Sequence, residues 1–207
     1  MRTSVPGNNE STTETYTGGD DWIRGYGGDD QIQGGAGDDV LYGDDGDDDL
    51  YGQVGNDKIF GGEGMDTIFG DSIQDDVGHF FGDDKLYGGA GDDNIYGGFG
   101  DDIIHGGTGE DLLYGHAGED IIYGEDDDDV INAGKGWDTV FGGDGCDEIT
   151  TFDGGDVVWL GDCDGSNAQT LIIEGTGDDP ENFVVVMDFW LESAKPFNEI
   201  CLNVGDN

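Results

Sequence analysis

Across residues 16–159 an aliphatic side chain returns at every ninth position: Ile23, Ile32, Leu41, Leu50, Ile59, Ile68, Val77, Leu86, Ile95, Ile104, Leu113, Ile122, Ile131, Val140, Ile149 and Val158. With Ile, Leu and Val scattered at roughly one position in six, sixteen successes in a row would arise about once in 10¹² trials. The residues between them are rich in Gly and Asp, so each block of nine reads as six residues of turn and three of strand. In such a strand the middle side chain faces inward and its two neighbours face out. One inward side chain per strand cannot build a core alone, but a stack of strands can.

Two blocks make one coil of eighteen residues, with strands on opposite faces and turns at opposite edges. Sixteen blocks predict an all-β, parallel β-roll (a β-solenoid) of eight coils around a narrow aliphatic core. The stretch GDSIQDDVGHFF, residues 70–81, keeps the phase, with Gly70 opening one block and His79 the next, and reads as a degenerate repeat. After Trp159 the period stops. TLIIE at 170–174 and FVVVM at 183–187, separated by GTGDDPEN, predict a hairpin, and NEICLNV at 198–204 a third strand. The organisation is therefore a flexible segment 1–15, a roll 16–159, and a small C-terminal β cap 160–207 that closes the stack.

Charge changes the picture. The chain carries 50 Asp plus Glu against 6 Lys plus Arg, a formal net charge of −44, with 43 glycines in 207 residues. Such acidity excludes nucleic acid as a partner, since phosphate binding needs Lys and Arg, and argues against docking on anionic lipid. No apolar run is long enough to span a membrane, and the first residues, MRTSVPGNNESTTETYT, lack the apolar centre of a cleaved N-terminal signal. A disordered polyanion would not keep a strict period, and the acid is periodic too. The sixth place of every block is Asp: Asp21, Asp30, Asp39, Asp48, Asp57, Asp66, Asp75, Asp84, Asp93, Asp102, Asp111, Asp120, Asp129, Asp138, Asp147 and Asp156. The fourth place is Gly except at Ile73 and Asp127.

Turns stacked at strand spacing set these carboxylates in columns, where their repulsion is severe unless a cation intervenes. Calcium fits, because it takes six to eight hard oxygen ligands from carboxylates and carbonyls. Turns on one edge come from alternate blocks, so a site joins Asp21 with Asp39, or Asp30 with Asp48. Filling about fourteen such sites adds about +28 and brings the charge near −16. Folding and binding then become one event.

Blocks such as GGAGDDNIY (88–96), GGFGDDIIH (97–105) and GGTGEDLLY (106–114) resemble the RTX, or haemolysin-type, calcium-binding nonapeptide repeat GGxGxDxUx. The resemblance implies a right-handed parallel β-roll, calcium held between stacked turns, all sixteen sixth-place Asp as candidate ligands, and export to the extracellular space by the type I route with an uncleaved C-terminal signal. Asp21, Asp75, Asp129 and Asp156 sit in the blocks that depart most from the motif.

The ninth place often carries an aromatic ring: Tyr42, Tyr51, Phe60, Phe69, Tyr87, Tyr96, Tyr114, Tyr123, Phe141 and Trp159. Outward ladders of these rings stiffen a thin roll, or else offer a surface for polysaccharide or self-association. His79, His105 and His116 fall at different places of their blocks, which argues for surface histidines over a zinc site. EDDDD at 125–129 reads as a variant turn, and GDG at 143–145 lacks the helices of an EF-hand. A Cys163–Cys201 bridge is one candidate pairing among the three cysteines. No Ser/His/Asp or Cys/His constellation stands outside the repeat, so the expected role is a calcium-dependent scaffold without catalysis. The competing readings are an adhesive or filament-forming module and the C-terminal helper of a larger secreted enzyme.

Overall fold

The computed structural model describes residues 13–15, 18–71, 82–152, 154–161, 163, 170–175, 184–186 and 199–204. Among them are strands only. They are β1 (Thr13–Thr15), β2 (Trp22–Gly27), β3 (Gln31–Ala36), β4 (Val40–Asp45), β5 (Asp49–Val54), β6 (Lys58–Glu63) and β7 (Thr67–Asp71). Next come β8 (Lys85–Ala90), β9 (Asn94–Phe99), β10 (Ile103–Thr108), β11 (Leu112–Ala117), β12 (Ile121–Asp126) and β13 (Val130–Lys135). The last are β14 (Thr139–Asp144), β15 (Glu148–Thr151), β16 (Val157–Trp159), β17 (Thr170–Gly175), β18 (Val184–Val186) and β19 (Glu199–Val204). Odd-numbered strands form a ten-stranded sheet and even-numbered strands a nine-stranded one, each in chain order. Every pairing is parallel, which makes the molecule a β-roll.

A regular strand is six residues long, not three. It runs from the seventh place of one block to the third of the next, because the first-place glycine enters the ladder and faces inward in step with the eighth-place aliphatic residue. Every described eighth-place side chain is fully buried. In the ladder Ile104 lies between Leu86 and Ile122. Outside, the ninth-place rings stack along each sheet. Tyr42, Phe60, Tyr87, His105, Tyr123, Phe141 and Trp159 follow one another on the nine-stranded sheet at centroid spacings of 4.6 to 5.9 Å. Tyr51, Phe69, Tyr96 and Tyr114 do so on the other sheet.

Residues 70–81 are the first departure from expectation. β6 pairs directly with β8 and β7 with β9, setting Ile59 against Leu86 and Ile68 against Ile95, so both registers jump by 27 residues instead of 18. Gly70 stands against Asp84 as Gly61 stands against Asp66. The turn thus opens with Gly70-Asp71 and closes with Gly82-Asp83-Asp84, and ten residues stand in sequence where other turns have one. The excess equals the period, which is why phase alone reads it as a repeat. Ile73, Asp75, Val77 and His79 lie outside the described residues.

The C-terminal reading also changes. β17 pairs with β15 and β19, and β18 with β16, all parallel, so TLIIE and VVV extend opposite sheets instead of forming a hairpin. Their longer connections hide the continuing coil from a search for nines. At the other end β1, inside the segment expected to be flexible, pairs with β3. The bridge joins Cys146 to Cys163, with Cα atoms 4.7 Å apart, and so excludes the candidate Cys163–Cys201 pairing. The two residues are 17 apart in sequence, close to one coil, so strand spacing brings them together.

Deleting residues 73–81 leaves Gly70-Asp71-Ser72-Gly82-Asp83-Asp84, a turn of regular length. The shortened chain is expected to keep the parent's β circular dichroism and a thermal midpoint within a few degrees, since loop length changes stability only weakly. Loss of the β signal on that deletion would show that the removed residues hold a rung.

Candidate metal sites

Each three-residue turn places its sixth-place Asp at the mouth of the next strand, and the structure assembles these residues into two columns. One edge carries Asp21, Asp39, Asp57, Asp84, Asp102, Asp120, Asp138 and Asp156; the other carries Asp30, Asp48, Asp66, Asp93, Asp111, Asp129 and Asp147. All fifteen are at most 4 % exposed. Within a column each Asp donates its backbone N–H to Oδ1 of the Asp one coil further on, at 2.7 to 3.1 Å, in thirteen successive steps. The expected partners Asp21 with Asp39 and Asp30 with Asp48 are found. Beyond the long turn the partners become Asp57 with Asp84 and Asp66 with Asp93. Asp75 lies outside the described residues.

The second oxygen is the chemically informative one. Oδ2 of Asp39, Asp48, Asp57, Asp66, Asp84, Asp93, Asp102, Asp111, Asp120, Asp129, Asp138, Asp147 and Asp156 is buried with no hydrogen-bond partner. An ionised oxygen in that state costs several kcal/mol. Beside it the first-place glycine leaves a cradle: a Cβ on Gly43, Gly61, Gly88 or Gly106 would overlap the Asp Oδ2 of its own turn and the first-place carbonyl one coil on. Glycine is therefore favoured there by space. At the second and fourth places it is favoured by conformation, with φ of 126° at Gly107 and 121° at Gly109, although Tyr26, Asp44, Gln53, His116 and Glu125 adopt the same left-handed backbone at the second place.

Two turns fill the cradle. Ala133 takes the glycine's place before Asp138, and Thr151 takes it before Asp156, where the hydroxyl lies beside the carboxylate and offsets part of its pKa rise. Asp127, the exception at the fourth place, adopts φ of 79° like the glycines it replaces, and Asp129 keeps the same bonds as its neighbours.

Burial dominates the electrostatics. It raises Asp66, Asp111, Asp138 and Asp147 to about 6, Asp48, Asp84 and Asp120 to about 7, Asp57, Asp93 and Asp129 to about 8, and Asp102 to about 9. The N–H donated by the preceding coil pulls each value back, and most are pushed up again by nearby carboxylates. Asp39 and Asp156 rise for the same leading reason.

A second line of acid, whose role the sequence pattern did not disclose, stitches the turns from outside. Oδ1 of fifth-place Asp20, Asp29, Asp38, Asp47, Asp83, Asp92, Asp101 and Asp128 accepts the fifth-place backbone N–H one coil on. These bonds run opposite to the inner ones. The recurring Asp-Asp doublet was their signal. The histidines do not converge: His105 sits in the ring stack of the nine-stranded sheet with Nδ1 2.9 Å from Glu125 Oε1, and His116 packs beside Tyr96 and Tyr114 on the other sheet. His79 lies outside the described residues.

The donor set is hard oxygen throughout, and among the described residues no three His, Cys, Asp or Glu side chains converge on one point. Facing carboxylates supplemented by backbone carbonyls suit calcium, and the absence of nitrogen or sulfur donors in the cradles disfavours zinc. Unpartnered Oδ2 atoms beside open glycine cradles fit the ion. Bound there, calcium would supply the positive charge that the columns lack.

A search among curated proteins returned no match. The RTX calcium-binding nonapeptide repeat, described as a unit of four copies, matches residues 15–50, 42–72, 80–113, 105–136, 114–149 and 133–162, about two thirds of the chain. With the period, the parallel roll and the oxygen-lined cradles in agreement, the chain belongs to the RTX calcium-binding nonapeptide-repeat family.

Proposed function

We propose that this chain is an extracellular module whose folding is switched on by several calcium ions, and that the folded roll acts as a rigid acidic scaffold without catalysis of its own. The observation that carries the reading is the row of buried, unpartnered Asp Oδ2 atoms. Each unit of pKa rise costs about 1.4 kcal/mol of the ion-free folded state once the group must ionise. A dozen such groups weigh heavily against the total stability of an ordinary domain, about 5–15 kcal/mol. The ion-free roll is therefore unfavourable at neutral pH, and ligation at the columns stabilises the roll over the open chain.

Support for an extracellular setting comes from the family, whose repeats are typical of secreted proteins, and from the Cys146–Cys163 bridge, which suits an oxidising compartment. Among the described residues no helix is long and apolar enough to cross a membrane. The ring ladders favour stiffening over glycan capture. Their planes lie within 14° of one another, so successive rings cover each other's faces and leave mainly edges to solvent.

Titrating the chelated chain with calcium at pH 7.5 is expected to give a cooperative, reversible gain of β circular dichroism that magnesium does not reproduce. A full β signal in chelator at that pH, or none in millimolar calcium, would sink the coupling.

Proton linkage supplies an independent check. A carboxylate whose pKa is higher in the roll than in the open chain binds its proton more tightly when folded. Its contribution to the ion-free roll is therefore fully present below the usual carboxylate range of about 4, and is lost as pH rises through about 6 to 9. In chelator, β content should thus increase as pH falls from 9 towards 4. A flat profile over that range contradicts the burial of these groups.

Substitution of a cradle glycine tests the sites one at a time. Gly106→Ala puts a methyl against Asp111 Oδ2 and the Gly124 carbonyl. It is expected to raise the calcium midpoint and lower the loaded thermal midpoint by several degrees, whereas an unchanged midpoint would remove the glycine from the site.

A further inference from the structure

Asp71 is a buried acid outside the sixth-place set. It stands at the second place of the long turn, where Gln53 and Gly98 occupy the matching position on the neighbouring coils of its sheet, and it is 3 % exposed. Its Oδ2 accepts the backbone N–H of Phe99 at 2.8 Å. That bond has a structural cause. β7 stops at Asp71, and its register with β9 covers only Thr67–Phe69, so the carboxylate takes over where the ladder ends. Its Oδ1, however, is buried without a well-formed hydrogen bond, the condition shared by the sixth-place Oδ2 atoms, and although the Gly82 N–H of the same turn helps to hold the acid's pKa down, burial still raises it to about 6. The acid is close enough for its charge to raise Asp57, Asp84 and Asp102, all members of one column. Neither the Arg24–Asp44 nor the His105–Glu125 ion pair supplies Asp71 with a cation.

A backbone splice explains one oxygen and leaves the other costly. A splice alone could use a neutral acceptor such as Asn, which would bond Phe99 N–H without adding charge to the most acidic part of the column. We propose that Asp71 is a calcium ligand that the nonapeptide motif does not encode, binding through Oδ1 beside Asp84 in the long turn and giving that turn more ligand charge than any regular one. The inference rests on the calcium reading of the columns. Affinity in oxygen-ligated sites rises with the number of charged ligands, so the long turn holds the most tightly bound ion of the roll.

The test compares the full-length parent with Asp71→Asn and Asp71→Glu, using calcium alone as the probe, with bound ions counted by equilibrium dialysis and folding followed by circular dichroism. Asp71→Asn keeps an acceptor for Phe99 N–H and is expected to fold in saturating calcium while binding one ion fewer, or with its tightest class weakened about tenfold. Asp71→Glu should retain the parent's count. A full complement at undiminished affinity in Asp71→Asn overturns the proposal and leaves Asp71 a splice. Should Asp71→Asn fail to fold, the comparison moves to the chain lacking residues 73–81, whose regular turn does not need the splice, and there the same loss or retention of one ion decides. A parent that binds no calcium defeats the reading of the columns themselves, an outcome distinct from a parent that binds many ions and a variant that binds as many.

Discussion

Carboxylates are buried here in two lines with almost no basic side chains to meet them, and the rest of the molecule is arranged around that constraint. A parallel ladder fixes the distance between turns, so whatever stands at one place of the repeat is copied along the axis at strand spacing. For an aliphatic side chain the copy is a core. For an aspartate it is a column of like charge in low dielectric, with one oxygen satisfied by a backbone N–H and the other by nothing in the chain. The first-place glycine completes the arrangement by letting Oδ2 and a backbone carbonyl approach where a methyl would clash.

Much of this was legible in the sequence, because a nine-residue period with an invariant aliphatic place and an invariant acid admits few solutions. The core from Ile23 to Val158 and the pairings of Asp21 with Asp39 and Asp30 with Asp48 follow from counting. What counting could not see is any irregularity equal to the period. The long turn between Asp71 and Gly82 keeps phase while changing the partners on either side of it, so Asp84 faces Asp57 and not Asp66 and Asp93 faces Asp66, after which the 18-residue spacing returns. The opposite failure occurs after Trp159, where Ile149 meets Leu171 across 22 residues: the roll continues but the nines do not. The outer stitching by Asp20, Asp38 and Asp101 was hidden for another reason, since an exposed acid in a turn has a sufficient explanation in solubility alone.

Inner and outer aspartates divide the work by chemistry. The outer carboxylates lie in water and accept backbone N–H groups along the stack. The inner ones accept an equivalent N–H from the opposite direction but carry a desolvation cost that a bound cation would offset. The disulfide adds a covalent link on the outer line, between Cys146 and the next coil at Cys163. The ring stacks secure the faces as the aspartates secure the edges.

A ladder of near-identical rungs has a weakness that a mixed fold lacks: sliding the chain by one whole coil replaces each contact with an equivalent one, so the correct alignment and its shifted copies lie close in energy. Places where the copies differ then select among them. The long turn between Asp71 and Gly82 is such a place, because only one alignment sets its extra length at an edge and still lets Phe60 stack on Tyr87 and Phe69 on Tyr96. Viewed this way, the interruption is a key cut into an otherwise uniform zip, and the least repetitive part of the roll determines where all the repetitive parts must lie.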